Sequence, residues 1–182
     1  MTIGMRSLAL VALLSILVPQ GPADAPCPAL AMPSHVHLAA LERDLSVCLT
    51  LPPDWVQRLP SSGQAPVLEW LRRDGTRSLT IDVGTTERDV LSDPFVAAAE
   101  DTAKFYRRRS GYTEYGLARL RLADHDAYRL DLATPVGNFW RIYMIAAGKD
   151  SMLKITVADD GKADKDVLRR EADAIVAGLR LH

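Results

Sequence analysis

The chain has 182 residues, 48% hydrophobic and 25% charged, enough for one domain with its own core. Its 22 Lys and Arg stand against 23 Asp and Glu, a formal net charge of -1. No global basic field is left to hold nucleic acid.

The N-terminus carries the most specific signal. Arg6 gives a positive start, residues 8–18 (LALVALLSILV) an apolar run, and residues 19–23 a small, helix-breaking close. These are the three parts of a secretory signal peptide. The apolar run is too short to span a bilayer core. The expectation is an exported protein, periplasmic or secreted, with residues 1–23 removed and no membrane span afterwards.

Cleavage after Ala23 leaves Cys27 in place to pair with Cys48, closing a loop of about twenty residues worth on the order of 3 kcal/mol in the chain-entropy model. Cleavage after Ala31 removes Cys27 and leaves Cys48 alone in a strand, between Val47 and Leu49. Pro26 precedes Cys27 where a lipoprotein signal has a small residue, which argues against a lipid anchor.

Residues 24–44 read as an extended N-terminal arm, and residues 45–182 as a single domain. His35 and His37 fall in the arm without the further ligands a metal site needs. Residues 46–51 form a strand that Pro52-Pro53 ends, because proline removes a ladder donor. Trp55 follows as a plug at the end of the core. Residues 67–72 and 78–83 flank Asp74-Gly75, a hairpin signal because both turn positions tolerate positive φ.

Asp93 caps a first helix with Pro94 at its first position. Phe95, Ala98, Ala99, Thr102, Phe105 and Tyr106 make one apolar stripe. Arg107, Arg108 and Arg109 lie in the last turn, where cations oppose the negative helix end. Residues 116–157 then alternate apolar and polar over four short segments separated by three turns, a β-meander. A second helix starts at Asp164 or Asp166 and shows Leu168, Ala172, Ile175 and Leu179 on one stripe.

One strand decides how these parts stack. In residues 139–146 (FWRIYMIA), Trp140, Ile142 and Met144 point one way, and Phe139, Tyr143 and Ile145 the other, interrupted only by Arg141. A strand apolar on both parities is covered on both faces. The predicted fold is therefore α+β: an α-β-α sandwich whose antiparallel sheet, with its C-terminal four-strand meander, lies between two helices. Residues 139–146 are central in it. Arg119, Arg121, Arg129 and Asp131 are expected to form one charged margin, paired across strands, on the less covered face.

The order of a strand running into Pro-Pro-Asp-Trp, a hairpin, an Asp-Pro-capped helix, a four-strand meander and a C-terminal helix with the tail Leu179-Arg180-Leu181 resembles the PsbP-like superfamily, which includes the DcrB-like bacterial envelope proteins. The resemblance spans residues 45–181. Its local sequence match is SVCLTLPPDW, similar to the family's opening strand followed by Pro-x-x-Trp or Pro-x-Gly-Trp, with Asp54 where glycine is usual. The resemblance implies an α-β-α sandwich and a binding or assembly role. It supplies no family catalytic residues.

Phosphate-cradling glycine loops, nucleophile elbows, zinc-protease helices and C-x-x-C pairs are missing from the sequence. Asp124-His125-Asp126 could orient a base but falls at a meander turn, where such residues accept turn geometry. No cofactor or metal is expected. The leading expectation is a non-catalytic binding or assembly module whose partner is an envelope protein. Its contact surface is Tyr106, Arg107, Arg108, Arg109 and Tyr112 together with Arg119 and Arg121, since Arg and Tyr favour interface hot spots. The alternatives are a small-ligand binder or enzyme with a pocket between sheet and helix near Trp55, Trp70 or Trp140, and an envelope immunity or inhibitor protein.

Overall fold

A computed structural model describes residues 31–38, 43–58, 68–85, 94–148, 151–162 and 164–181. Residues 1–23, read as a signal peptide, and Cys27 and Asp93 lie outside them. Ten strands and two helices follow in the order β1 (Ala31–Leu38), β2 (Arg43–Thr50), β3 (Trp55–Arg58), β4 (Leu68–Arg72), β5 (Arg77–Thr85), α1 (Pro94–Arg107), β6 (Thr113–Leu122), β7 (His125–Ala133), β8 (Phe139–Gly148), β9 (Ser151–Asp159), α2 (Lys165–Ala177) and β10 (Arg180–Leu181). The fold is α+β and mostly antiparallel sheet. β3 through β9 form a seven-stranded sheet in the order β3-β4-β5-β9-β8-β7-β6, and β1-β2-β10 a three-stranded one.

The meander is present as β6 to β9, each strand pairing antiparallel with the next. The β4–β5 hairpin closes through Asp74 and Gly75, with Gly75 at φ 72. Part of the segment read as an arm is a paired strand: β1 pairs with β2 from Ala31↔Thr50 to Leu38↔Arg43, which sets His35 and His37 opposite Ser46 and Asp44. The C-terminal tail pairs on the other side of β2 as β10. Cys48 is buried and disulfide-bonded.

β8 divides the core as its two parities predict. Ile142 and Met144, with Trp140 at the rim, join Phe95, Ala99 and Ala103 of α1. Phe139, Tyr143 and Ile145 join Leu168, Ala172, Ile175 and Val176 of α2 and Val47 and Leu49 of β2. β8 is an interior strand, while β9 is the middle one of seven.

Two expectations are corrected. Phe105 is not part of the buried stripe of α1; it is half-exposed, and Ala103 is buried instead. At 100° per residue Phe105 falls on the margin of the stripe, and a helix resting on a sheet presents its small residues where the backbone comes closest. The four charged residues of the margin are not on one face. Arg119 lies opposite Tyr128, which belongs to the α1 cluster, whereas Arg129 and Asp131 share the parity of Ala127, which belongs to the α2 cluster.

Candidate functional site: an aromatic and basic end

Strand direction gathers one end of the molecule. The C-terminus of α1, the start of β6, the β7–β8 turn, the end of β9 and the start of α2 all meet there, because Thr113 pairs with Ala133, Ala133 with Phe139 and Trp140 with Ala158. Two glycines set the fit. Gly111, at φ 83, would place a Cβ 2.9 Å from Pro135 Cβ, so only glycine lets the end of α1 close onto the β7–β8 turn. Gly161, at φ 79, does the same against the Gly137 carbonyl oxygen at 2.9 Å. Asp159 then locks turn to loop: its Oδ1 accepts from the Phe139 and Gly161 amides, both at 2.8 Å.

On this frame the exposed side chains include apolar and cationic groups, with the acids Asp164 and Asp166 beside them at the start of α2. Five large hydrophobic residues are exposed among the described ones, and four are here: Val136 at 81%, Phe105 at 49%, Tyr115 at 47% and Val167 at 41%. The fifth, Val56, sits on β3 at the opposite edge of the sheet. Val136 occupies the tip of the β7–β8 turn, and Val167 the first turn of α2. Tyr115 reaches α2 because the ladder of β6 shifts register between Glu114 and Gly116. Such a bulge re-aims the extra side chain. Tyr115 packs on Phe139 at 5.7 Å and accepts from Lys165 Nζ at 2.7 Å, with that ammonium 4.2 Å from its ring centroid.

Five of the seven nominated contact residues are together at this end. Tyr106 is half-buried, 5.3 Å from Tyr112 and 6.2 Å from Trp140 between ring centroids. Burial raises its pKa above the ordinary phenol value, and the nearby Lys154 charge only partly offsets that. Arg107 is held in a bidentate pair with Glu114 at 2.6 and 2.8 Å, and that hydrogen bonding raises its pKa. Arg109 covers the Phe105 ring at 4.3 Å. Neither Arg108 nor Arg109 has a carboxylate partner among the described residues, and the Lys165 ammonium is held by Tyr115.

Arg119 and Arg121 are not brought to this patch. They lie at the far end of β6, where Arg119 pairs with Asp126 at 3.4 Å and Arg121 donates to the Asp124 carbonyl at 2.6 Å. Arg121 lies seven positions beyond Glu114 on β6, on the order of 23 Å of strand. Of Asp124-His125-Asp126 only Asp124, at φ 64, is in the β6–β7 turn, with Ala123; His125 and Asp126 open β7 opposite Leu122 and Arg121, and His125 Nδ1 is 2.9 Å from the Ala146 carbonyl oxygen.

The other group of charges lies between the sheet and α2, with Arg141 and Asp131 buried and Asp173 and Arg169 at the edge, partly exposed. Arg141, 3% exposed, donates Nε and Nη2 to Asp131 at 2.7 and 2.8 Å, and Nη1 to Asp173 at 2.7 Å and to the Arg169 carbonyl at 3.1 Å. Tyr143 donates to the other Asp173 oxygen at 2.5 Å, and Arg169 donates to Asp131 at 3.2 Å. Burial opposes the Arg141 charge, but the hydrogen bonds and charge of Asp131 prevail and raise its pKa; burial first, then Asp173, raises that of Tyr143. Each carboxylate oxygen of Asp131 and Asp173 accepts at least one hydrogen bond, so this group joins sheet to helix.

An open groove of about 230 Å³ lies along β4, β5 and β9, lined by Glu69, Ser78, Asn138 and Asp160 among others. None of the three tryptophans lines it. Trp55 and Trp70 are buried in the core, and Trp140 packs under α1. No group of three or more His, Cys, Asp and Glu residues able to hold a metal occurs among the described residues.

No protein family and no curated protein matches the chain by sequence. Solved structures do match by fold. LpqN of Mycobacterium tuberculosis, described as involved in cell envelope biogenesis, aligns with a TM-score of 0.60 at 13% identity over 83% of this chain and 91% of its own. The cyanobacterial PsbP (CyanoP) of Synechocystis sp. PCC 6803 aligns with a TM-score of 0.57 at 9% identity over 87% and 99%. These alignments, at 13% and 9% identity, show a likeness of fold to LpqN and to the cyanobacterial PsbP.

Proposed function

We propose that the protein is exported with loss of residues 1–23 and serves in the cell envelope as a non-catalytic binding or assembly module. In this reading residues 45–182 form one domain, an α-β-α sandwich, and Cys27 is the partner of Cys48 because the chain has two cysteines. The described part of LpqN's role, cell envelope biogenesis, supports the location. The observation that carries the reading is the aromatic and basic end. Among the described residues, four of the five exposed large hydrophobics share it with Arg108 and Arg109, which have no carboxylate partner there, and exposed apolar groups rimmed by charge mark contact surfaces.

The test is a photo-activatable cross-linker placed at Phe105 in the exported protein inside cells. One dominant envelope component, lost when Arg108→Glu and Arg109→Glu are introduced, supports the reading. Cross-links that are absent, or that are unchanged by the charge reversals, overturn it.

A further inference from the structure

We propose that the component met by this end is an anionic bilayer surface, on which the protein docks peripherally. The inference rests on the end being a contact surface and names what it contacts. Its apolar groups are separate tips on four elements: a turn apex (Val136), a helix end (Phe105), a bulged strand (Tyr115) and a helix start (Val167). A protein partner would need a shaped counterpart to each, with a packed central anchor. A fluid bilayer accepts separate tips without matching them.

The charges fit the same occupant. Arg108 and Arg109 have no carboxylate partner among the described residues, and Lys165 is held by an aromatic ring rather than by an acid. Basic side chains around apolar tips are the arrangement that anionic headgroups attract, cation to phosphate and tip to acyl boundary. With a net charge of -1 the chain as a whole does not attract an anionic surface, so the attraction rests on Arg108, Arg109 and Lys165, against which Asp164 at the start of α2 is set while Asp166 is paired with Arg169. No helix among the described residues is long and apolar enough to cross a membrane, so the contact proposed is with the surface alone.

The experiment is co-sedimentation of the exported protein with vesicles of phosphatidylcholine alone and of phosphatidylcholine mixed with phosphatidylglycerol, at low and high salt. Binding is expected to the mixed vesicles only and to weaken with salt. Reversing Arg108 and Arg109 to Glu together is expected to lower it by more than about tenfold. Val136→Asp, at an exposed turn tip with every cation intact, is expected to lower it by about fivefold or more, which separates insertion from simple adsorption. The proposal is overturned by no binding to the mixed vesicles at low salt, or by binding that Val136→Asp leaves unchanged. A protein recovered from the Phe105 cross-link alongside absent vesicle binding would sink the bilayer assignment while leaving the contact surface standing.

Discussion

The seam beneath α2 and the end beside α1 use the same residue types to opposite effect. In the seam, Arg141 and Arg169 face Asp131 and Asp173, and each carboxylate oxygen has a donor. At the end, Arg108 and Arg109 have no carboxylate partner among the described residues, and the Phe105 ring lies under Arg109. Buried charges are tolerated only when paired, whereas exposed ones cost little to leave single. The pairing state therefore separates charge that holds the fold from charge that is free to meet something else.

The sharpest way to break the comparison is at Arg141. Arg141→Ala leaves Asp131 buried without its bidentate partner and is expected to cost about 3–5 kcal/mol in urea unfolding. Replacing both, with Arg141→Met and Asp131→Leu, is expected to recover most of that, because the penalty is the orphaned charge rather than the lost attraction. A double variant as unstable as the single one would mean that the pair itself supplies the stability.

A smaller effect is expected at the end, where the frame is set by backbone rather than by charge. Gly111→Ala introduces a side chain at φ 83 and a Cβ 2.9 Å from Pro135. The left-handed conformation alone costs about 1–2 kcal/mol. The same urea experiment should show a loss of at least that size, together with weaker vesicle binding, since Val136 sits next to Pro135 on the turn that must move. Unchanged stability would show that the end of α1 does not depend on this approach.

How far the sequence carries follows the same division. The two parities of residues 139–146 predicted that the strand is covered on both faces, because each parity is almost wholly apolar. Asp74-Gly75 predicted its hairpin from turn geometry alone. β3 was missed: it has four residues, and Trp55 reads as readily as a plug. Arg141 was read only as an interruption. Yet a charge in a strand covered on both faces requires a partner, and the register of the β7–β8 hairpin puts Asp131 directly opposite. Asp173, on a helix that packs back from beyond the next strand, had no such local signal. Nor did the end as a whole. Tyr106 to Tyr112 are contiguous and were legible, but Tyr115, Val136 and Val167 join them only through sheet topology, and topology likewise removes Arg119 and Arg121 to the other end.

Tyrosine ionisation gives the finest test of the contrast. Tyr143 belongs to the seam: burial and its hydrogen bond to Asp173 raise its pKa. A phenol whose pKa is higher folded than unfolded contributes stability that is fully present below the unfolded value of about 10 and is lost as pH rises above it. At pH 11, one unit into that window, the loss expected from Tyr143 is about 1.4 kcal/mol. Tyr106 also titrates high through burial, so some alkaline loss will persist in any variant that keeps it. Urea unfolding between pH 8 and pH 11 (about two units below to one unit above the unfolded value) should therefore show stability falling in the wild type and falling less steeply in Tyr143→Phe, which has no phenol to ionise. Parallel curves would mean that Tyr143 does not stay protonated beneath α2, and that the seam is more open to solvent than its paired carboxylates require.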